Sequence, residues 1–137
     1  MNQAAELVAD SLLGESMATV IIGKNVYTVN PPAIKVICRA CSSFAKIGLD
    51  GEYTKLNVIS EIPQNTPHII KGISALIVGD VNNWRWKAHK IGKVLQSATN
   101  KEIKEAWENI LPLIGGDDFF DYALSMKSAA KMTAKAK

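Results

Sequence analysis

Two cysteines with the spacing C-x-x-C, Cys38 and Cys41, are the first residues whose types could do chemistry. A redox pair of this kind lies at a helix N-terminus, which lowers the thiol pKa, and a zinc site needs two further ligands. The two histidines of the chain, His68 and His89, lack zinc-finger spacing. Helical periodicity instead places both cysteines on an apolar stripe over residues 34–45, so we expect buried structural thiols and no metal.

The remaining candidate groups do not form a catalytic pattern. Neither histidine belongs to an H-E-x-x-H motif, and G-x-S-x-G is absent. Gly23-Lys24 lacks the rest of a phosphate loop, and Asp117-Asp118 is explained by helix capping better than by cation binding. The sequence therefore predicts a protein that is not an enzyme and has no cofactor.

A cluster of aromatic and basic residues begins at Trp84. Aromatic rings between basic groups can stack on bases and neutralise phosphates, which is one interpretation. The favoured interpretation is that one tryptophan ring packs in the core and the other marks a protein interface, where Trp and Arg are enriched. If the cluster binds nucleic acid instead, the contacts would come from Arg85, Trp86, Lys87, Lys90 and Lys93.

A β-hairpin over residues 18–30 heads the elements that must position these groups. Thr19–Ile22 and Val26–Val29 are β-branched runs on either side of Gly23-Lys24-Asn25. We expect a short arm or helix over 1–17 before the hairpin and a helical body over 31–137 after it. The fold class predicted for this single domain, 1–137, is α+β, mainly α.

Residues that typically start or end helices divide the body into about four to five helices. Pro31-Pro32 suits the first turn of the first helix, and Thr66-Pro67 opens the second. Residues 49–65 are expected to be irregular, with a short helix or an anchored loop at Leu56, Val58, Ile59 and Ile62 as the alternative. A third helix starts near Trp84. The capping-box spacing of Thr99-Asn100-Lys101-Glu102 begins a fourth, which Pro112 ends. The last helix, from Asp117 or Asp118, is expected to pack inward through the pairs Phe119/Phe120, Ala123/Leu124 and Met126/Ala130.

The net charge of +3 is small but unevenly distributed. Residues 101–121 hold six acidic residues against two lysines, whereas residues 122–137 hold four lysines and no acid. Such alternation favours charge-steered assembly over nucleic-acid binding. Neither a signal peptide nor an apolar run of about 20 residues is visible, so we expect a cytoplasmic protein with reduced thiols.

The order of elements resembles that of the tail assembly chaperones of long-tailed bacteriophages and prophages. The strand-turn-strand at 18–29 carries the resemblance, together with Thr99 to Trp107, Ile110 to Ile114, and Asp117-Asp118-Phe119-Phe120. The resemblance implies a non-catalytic protein of the host cell cytoplasm that self-associates. Such a protein would coat a helical tape-measure-like partner and recruit tail tube protein during tail morphogenesis.

That role needs exposed apolar side chains for amphipathic helices and for further copies of the chain. The partner-binding residues that we expect are Trp107, Phe119, Phe120 and Met126 near the C-terminus, and Val20, Ile22, Val26 and Tyr27 on the hairpin. Two alternatives remain, a virion structural or connector component and a helical nucleic-acid-binding adaptor.

Overall fold

The predicted hairpin opens the computed structural model, which describes residues 17–49 and 54–136. Strands β1 (Ala18–Ile22) and β2 (Asn25–Val29) are antiparallel, with Ile21 opposite Val26. Gly23 begins the two-residue loop with φ 58°, a conformation that glycine adopts without steric cost. The hairpin is confirmed, and the arm predicted over 1–17 lies almost wholly outside the described residues.

Helix α1 (Ile34–Phe44) follows the two prolines rather than including them, since the extended Ala33 is its N-cap. Its buried face is formed by Val36 and Ala40, not by the predicted stripe, and both cysteines are exposed. The prediction of buried structural thiols is therefore wrong. The small Val36–Ala40 face packs against the next helix, and the Phe44 ring lies directly over the bare backbone of Gly72 there.

Helix α2 (Lys55–Val78) contradicts the expected irregular stretch over 49–65 and the expected start at Thr66-Pro67. It begins after Thr54, whose Oγ1 accepts a hydrogen bond from the Asn57 N–H at 3.2 Å, and it continues through Pro63 and Pro67. Prolines remove backbone donors from a helix. Within the same turns the Thr66 hydroxyl donates to the Ile62 carbonyl at 2.6 Å, a bond to the carbonyl four residues earlier that is typical of bent helices and does not replace the missing proline donors.

Helix α3 (Trp84–Gln96), helix α4 (Asn100–Ile110) and a short 3₁₀ helix (Leu111–Ile114) complete the body. The predicted capping box is present, because the Thr99 hydroxyl accepts from the Glu102 N–H at 3.2 Å while Glu102 Oε1 accepts from the Thr99 N–H at 3.0 Å. Pro112 falls in the 3₁₀ helix that ends α4, as expected. The fold is α+β, mainly α.

Two polar side chains tie separate elements together. The buried Asn65 amide on α2 exchanges two hydrogen bonds with the Gly48 backbone, both at 2.9 Å, and so fixes the connection after α1. Glu102 Oε2 accepts from the Gly23 N–H at 2.6 Å, which links the hairpin turn to the start of α4. The backbone donors of Thr99 and Gly23 stabilise the carboxylate and lower the pKa of Glu102.

The core lies between the hairpin and helices α1 to α4. Helix α1 precedes α2 in the sequence and α3 follows it, and both pack against α2. Helix α4 packs against β1. The largest fully buried apolar side chains come from all of these elements: Val20, Val29, Val36, Ile73, Leu76, Leu95 and Ile110.

Candidate partner-binding surface

The last helix, α5 (Gly116–Ala136), is the most unusual element of the structure. It has 21 residues and so a length of about 31 Å at 1.5 Å per residue. None of its side chains over 116–133 is buried, and only Ala123 is even half-buried. The expected inward packing of Phe119/Phe120, Ala123/Leu124 and Met126/Ala130 is therefore wrong, because the core closes without this helix. Gly115, with φ 73°, separates α5 from the 3₁₀ helix.

One side of α5 is apolar, and the large apolar side chains of the helix are exposed. Phe119 is 59% exposed, Phe120 64% and Met126 65%. Phe119, Ala123, Met126 and Ala130 are spaced by four, three and four residues, the spacing by which a helix presents one seam to another helix. An exposed apolar patch of this kind is typical of a protein-binding surface. The geometry suits a partner helix laid along α5.

Charge is distributed along α5 in two halves. Asp117, Asp118 and Asp121 occupy the first turns, and Lys127 and Lys131 lie further along. Acids near the N-terminus and cations near the C-terminus both complement the helix dipole. The helix is therefore stabilised by its own sequence to some extent, although no surface of the described body covers its apolar side.

The hairpin residues predicted to contact partners are placed differently. Val20 and Ile22 are 1% and 3% exposed, so the expectation that they are available to a partner is wrong. Strand alternation turns them toward the core and turns Ile21 and Val26 outward, where they face each other across the strands. Ile21 of this exposed pair was not among the predicted partner contacts. Strict alternation along the strand would have identified it as outward-facing.

Trp107 and Tyr27 are half-buried rather than free. The Trp107 ring meets the Phe44 ring edge to face at a centroid distance of 5.4 Å, so it closes the side of the core between α4 and α1. Trp107 is thus largely engaged in the core, and its role as a partner contact stays a prediction. Of the residues predicted to bind a partner, Phe119, Phe120, Met126 and Val26 are those whose exposure suits the role.

The two tryptophans of the α3 cluster have different environments. Trp84 is half-buried, and the Arg39 guanidinium from α1 lies 3.9 Å from its ring centroid. Trp86 is 59% exposed, with the Lys90 ammonium 3.8 Å from its ring centroid. Trp84 is not among the residues that pack against the core, so the prediction that one ring lies in the core is wrong, and the interface role of the other ring stays a prediction. Arg85, Lys87 and Lys93 are exposed on the same helix.

A groove of about 350 Å³ lies beside this cluster, between β2, the end of α2 and α3. Its apolar lining comes from several elements, and Lys87 and Lys90 also line it; the apolar residues are Tyr27, Val78, Val81, Ile91 and Val94. None of the lining residues is acidic. The groove was not predicted, because its residues meet only in the folded chain.

The described residues contain no cluster of three or more His, Cys, Asp or Glu side chains that could hold a metal ion. Among the same residues, no helix has both the length and the apolar character needed to cross a membrane. The sequence matches no protein-family model and no curated protein, and no solved structure is similar to the fold.

Proposed function

We propose that this protein is a non-catalytic assembly chaperone of the phage tail type, which binds a helical tape-measure-type partner through α5 and self-associates. The observation that carries the proposal is the exposure of α5, a helix of 21 residues with aromatic and methionine side chains facing solvent. Helix-in-groove and helix-pairing recognition use such faces. Flexible methionine and flat aromatic side chains adapt to partners of varied sequence.

A long amphipathic helical protein is the kind of partner that needs this surface. Alone in water it exposes an apolar stripe along its whole length, which drives aggregation. A coating protein must cover that stripe along its length, so its binding surface must accept varied partner sequences. The seam on α5, at Phe119, Ala123, Met126 and Ala130, can lie along such a stripe by coiled-coil packing. Self-association would allow many copies to cover a long partner.

A co-expression experiment tests the proposal. A tape-measure-type protein from the same genome would be produced with and without this chain, and its soluble fraction measured. Wild-type protein should keep the partner soluble, whereas Phe119→Asp and Phe120→Asp, made separately, should reduce the soluble fraction while leaving the melting curve of the chain unchanged. Acidic residues are favourable in the first turns of a helix, so both variants should fold.

Leu56→Asp is the matched control, because Leu56 is 80% exposed on the first turn of α2. It should keep the partner soluble as wild type does. A second comparison, Val26→Asp, addresses the outward face of the hairpin. If the two phenylalanine variants protect the partner fully and Val26→Asp does not, the hairpin is the binding surface and the role proposed for α5 is wrong.

The second candidate function, a nucleic-acid-binding adaptor, is favoured by one observation. Trp86 is exposed beside Lys90, which is the arrangement that single-stranded nucleic acid uses for stacking and charge neutralisation. Binding of this kind would weaken steeply with salt, because it rests on counterion release. A complex with single-stranded DNA that survives physiological salt and is lost in Trp86→Ala would support the adaptor in place of the chaperone.

A further inference from the structure

The groove beside α3 has the features of a binding site for a short segment that is both aromatic and acidic. Its walls are apolar, and Val81 remains 39% exposed at its edge. Lys87 and Lys90 are among its lining residues, with the Lys90 ammonium 3.8 Å from the Trp86 ring centroid, and no acidic side chain lines it. An occupant should therefore bring apolar bulk for the walls and negative charge for the two lysines.

The first turns of α5 have this chemistry. Phe119 and Phe120 are exposed, and Asp117, Asp118 and Asp121 surround them in sequence. The groove volume of about 350 Å³ is more than twice that of the roughly 150 Å³ cavity known to bind benzene, so an aromatic ring fits. Within one chain both the groove and the two rings are open to solvent, so the segment does not bind the groove of its own chain.

We propose that the Asp117–Asp121 segment of one copy binds in the α3 groove of a second copy, with the phenylalanine rings against the apolar walls and the aspartates facing Lys87 and Lys90. The two contacting surfaces are different, so the contact is heterologous. Copies therefore add head to tail, and the row keeps one free groove at one end and one free segment at the other.

This contact gives the self-association in the proposed function a definite geometry and rests on that function. Only the first turns of α5 enter the groove. Met126 and Ala130 lie more than one turn further along the helix and stay available for a helical partner. A row of copies joined in this way would present a row of α5 seams, which suits a long partner better than a closed dimer does.

Charge reversal tests the contact on the purified chain alone, by sedimentation as a function of protein concentration. The groove variant carries Lys87→Glu and Lys90→Glu, and the segment variant carries Asp117→Lys and Asp118→Lys. Each variant by itself should associate at least about 10-fold more weakly than wild type, because like charges then face each other. An equimolar mixture of the two should associate as wild type does, since every groove then finds a segment of opposite charge.

The matched control carries Arg85→Glu and Lys93→Glu, which change the net charge equally on the same helix but do not line the groove. It should associate as wild type does. Melting curves of all variants establish folding, and restoration in the mixture cannot come from misfolded chains. Wild-type association by the groove variant, or failure of the mixture to recover, would overturn the head-to-tail contact.

These results are separable from a failure of the proposed function. If the groove variant still associates, the groove is not the contact, and the ability of α5 to keep a tape-measure-type protein soluble is unaffected. If charge reversal behaves as expected but Met126→Asp, which changes the seam outside the groove contact, leaves the partner soluble, the self-contact stands and the chaperone role fails.

Discussion

Leu→Ala substitutions, made one at a time on α2 and α5, distinguish a helix that packs in the core from a helix whose apolar side is free to bind a partner. Leu76 is 1% exposed and belongs to the same buried cluster as Ile73 and Ile110, whereas Leu124 on α5 is 52% exposed. Both lie inside helices, so Leu→Ala changes intrinsic helix propensity by the same small amount at each site. The difference between the two variants therefore measures tertiary packing.

Leu76→Ala should lower the free energy of unfolding by about 2–5 kcal/mol, because it removes buried methyl and methylene groups and leaves a cavity. For a chain of this size each kcal/mol corresponds to roughly 3–6 °C in Tm, so the melting temperature should fall by about 6–30 °C. Leu124→Ala should change the free energy of unfolding by less than about 0.5 kcal/mol, as expected for an exposed position.

Urea denaturation followed by circular dichroism gives both values. The protein concentration must be low enough for the chain to be monomeric, since self-association would stabilise α5 indirectly. If Leu124→Ala costs as much as Leu76→Ala under those conditions, α5 is docked on the body in solution. The reasoning that leaves its apolar face free for a partner would then be refuted.

Three further predictions concern the body. The Thr99 and Gly23 donors depress the pKa of Glu102, so the carboxylate stabilises the fold fully above its unfolded-state pKa and loses that effect as the pH falls through its folded-state pKa. Glu102→Gln should therefore lower the free energy of unfolding at neutral pH and match wild type in acid. Urea denaturation across pH measures both. Gly72→Ala should cost about 1–3 kcal/mol because the added Cβ overlaps an aromatic ring. Cys38 and Cys41 are exposed, so both thiols should react quickly with a thiol reagent in the native protein, and Cys41→Ser should cost less than about 0.5 kcal/mol.

Each of these predictions has a control and a contradicting result. Glu108→Gln should leave the pH dependence unchanged, since that carboxylate only approaches Lys104 at 3.9 Å; an equal effect of both changes would argue against the Glu102 contacts. Gly116→Ala meets nothing within 4 Å and should be tolerated, so an equal loss at both glycines would contradict the overlap. Thiols that react only after denaturation would restore the buried stripe predicted from periodicity.

The sequence predicted those elements whose signals are local. The hairpin follows from two β-branched runs and a glycine in the loop, and α4 begins where Thr99 and Glu102 form a reciprocal cap. Each of these depends on residues within a few positions of one another, so no knowledge of the remaining chain is required.

The sequence failed where a neighbouring helix decides the outcome. Periodicity on α1 favoured the cysteine stripe, but Val36 and Ala40 are the residues buried in the core, and Gly72 of α2 leaves room for the Phe44 ring. Thr66-Pro67 predicted the start of a helix, yet α2 begins after Thr54 and runs through Pro63 and Pro67, with its second half buried in the core. Local propensity is overridden by tertiary contacts in both cases.

The candidate surface shows the same division. The sequence indicates that α5 is apolar on more than one side, but not whether the body supplies a covering surface. Phe119, Phe120 and Met126 could thus be chosen for their residue types, and only the fold establishes that they are exposed. The groove beside α3 combines residues from three elements and has no local signal at all.

Hydrogen exchange over α5 tests the chaperone role most directly. Most helical stability in proteins comes from tertiary packing, and α5 has no buried side chain over 116–133, so the amides of 116–136 in the free, monomeric chain should exchange far faster than those of α2 over residues 70–77. Binding of the tape-measure-type protein should slow the α5 amides strongly and leave the α2 amides unchanged. A partner held soluble by this chain while exchange over α5 stays as fast as in the free protein would contradict the assignment of α5 as the binding element.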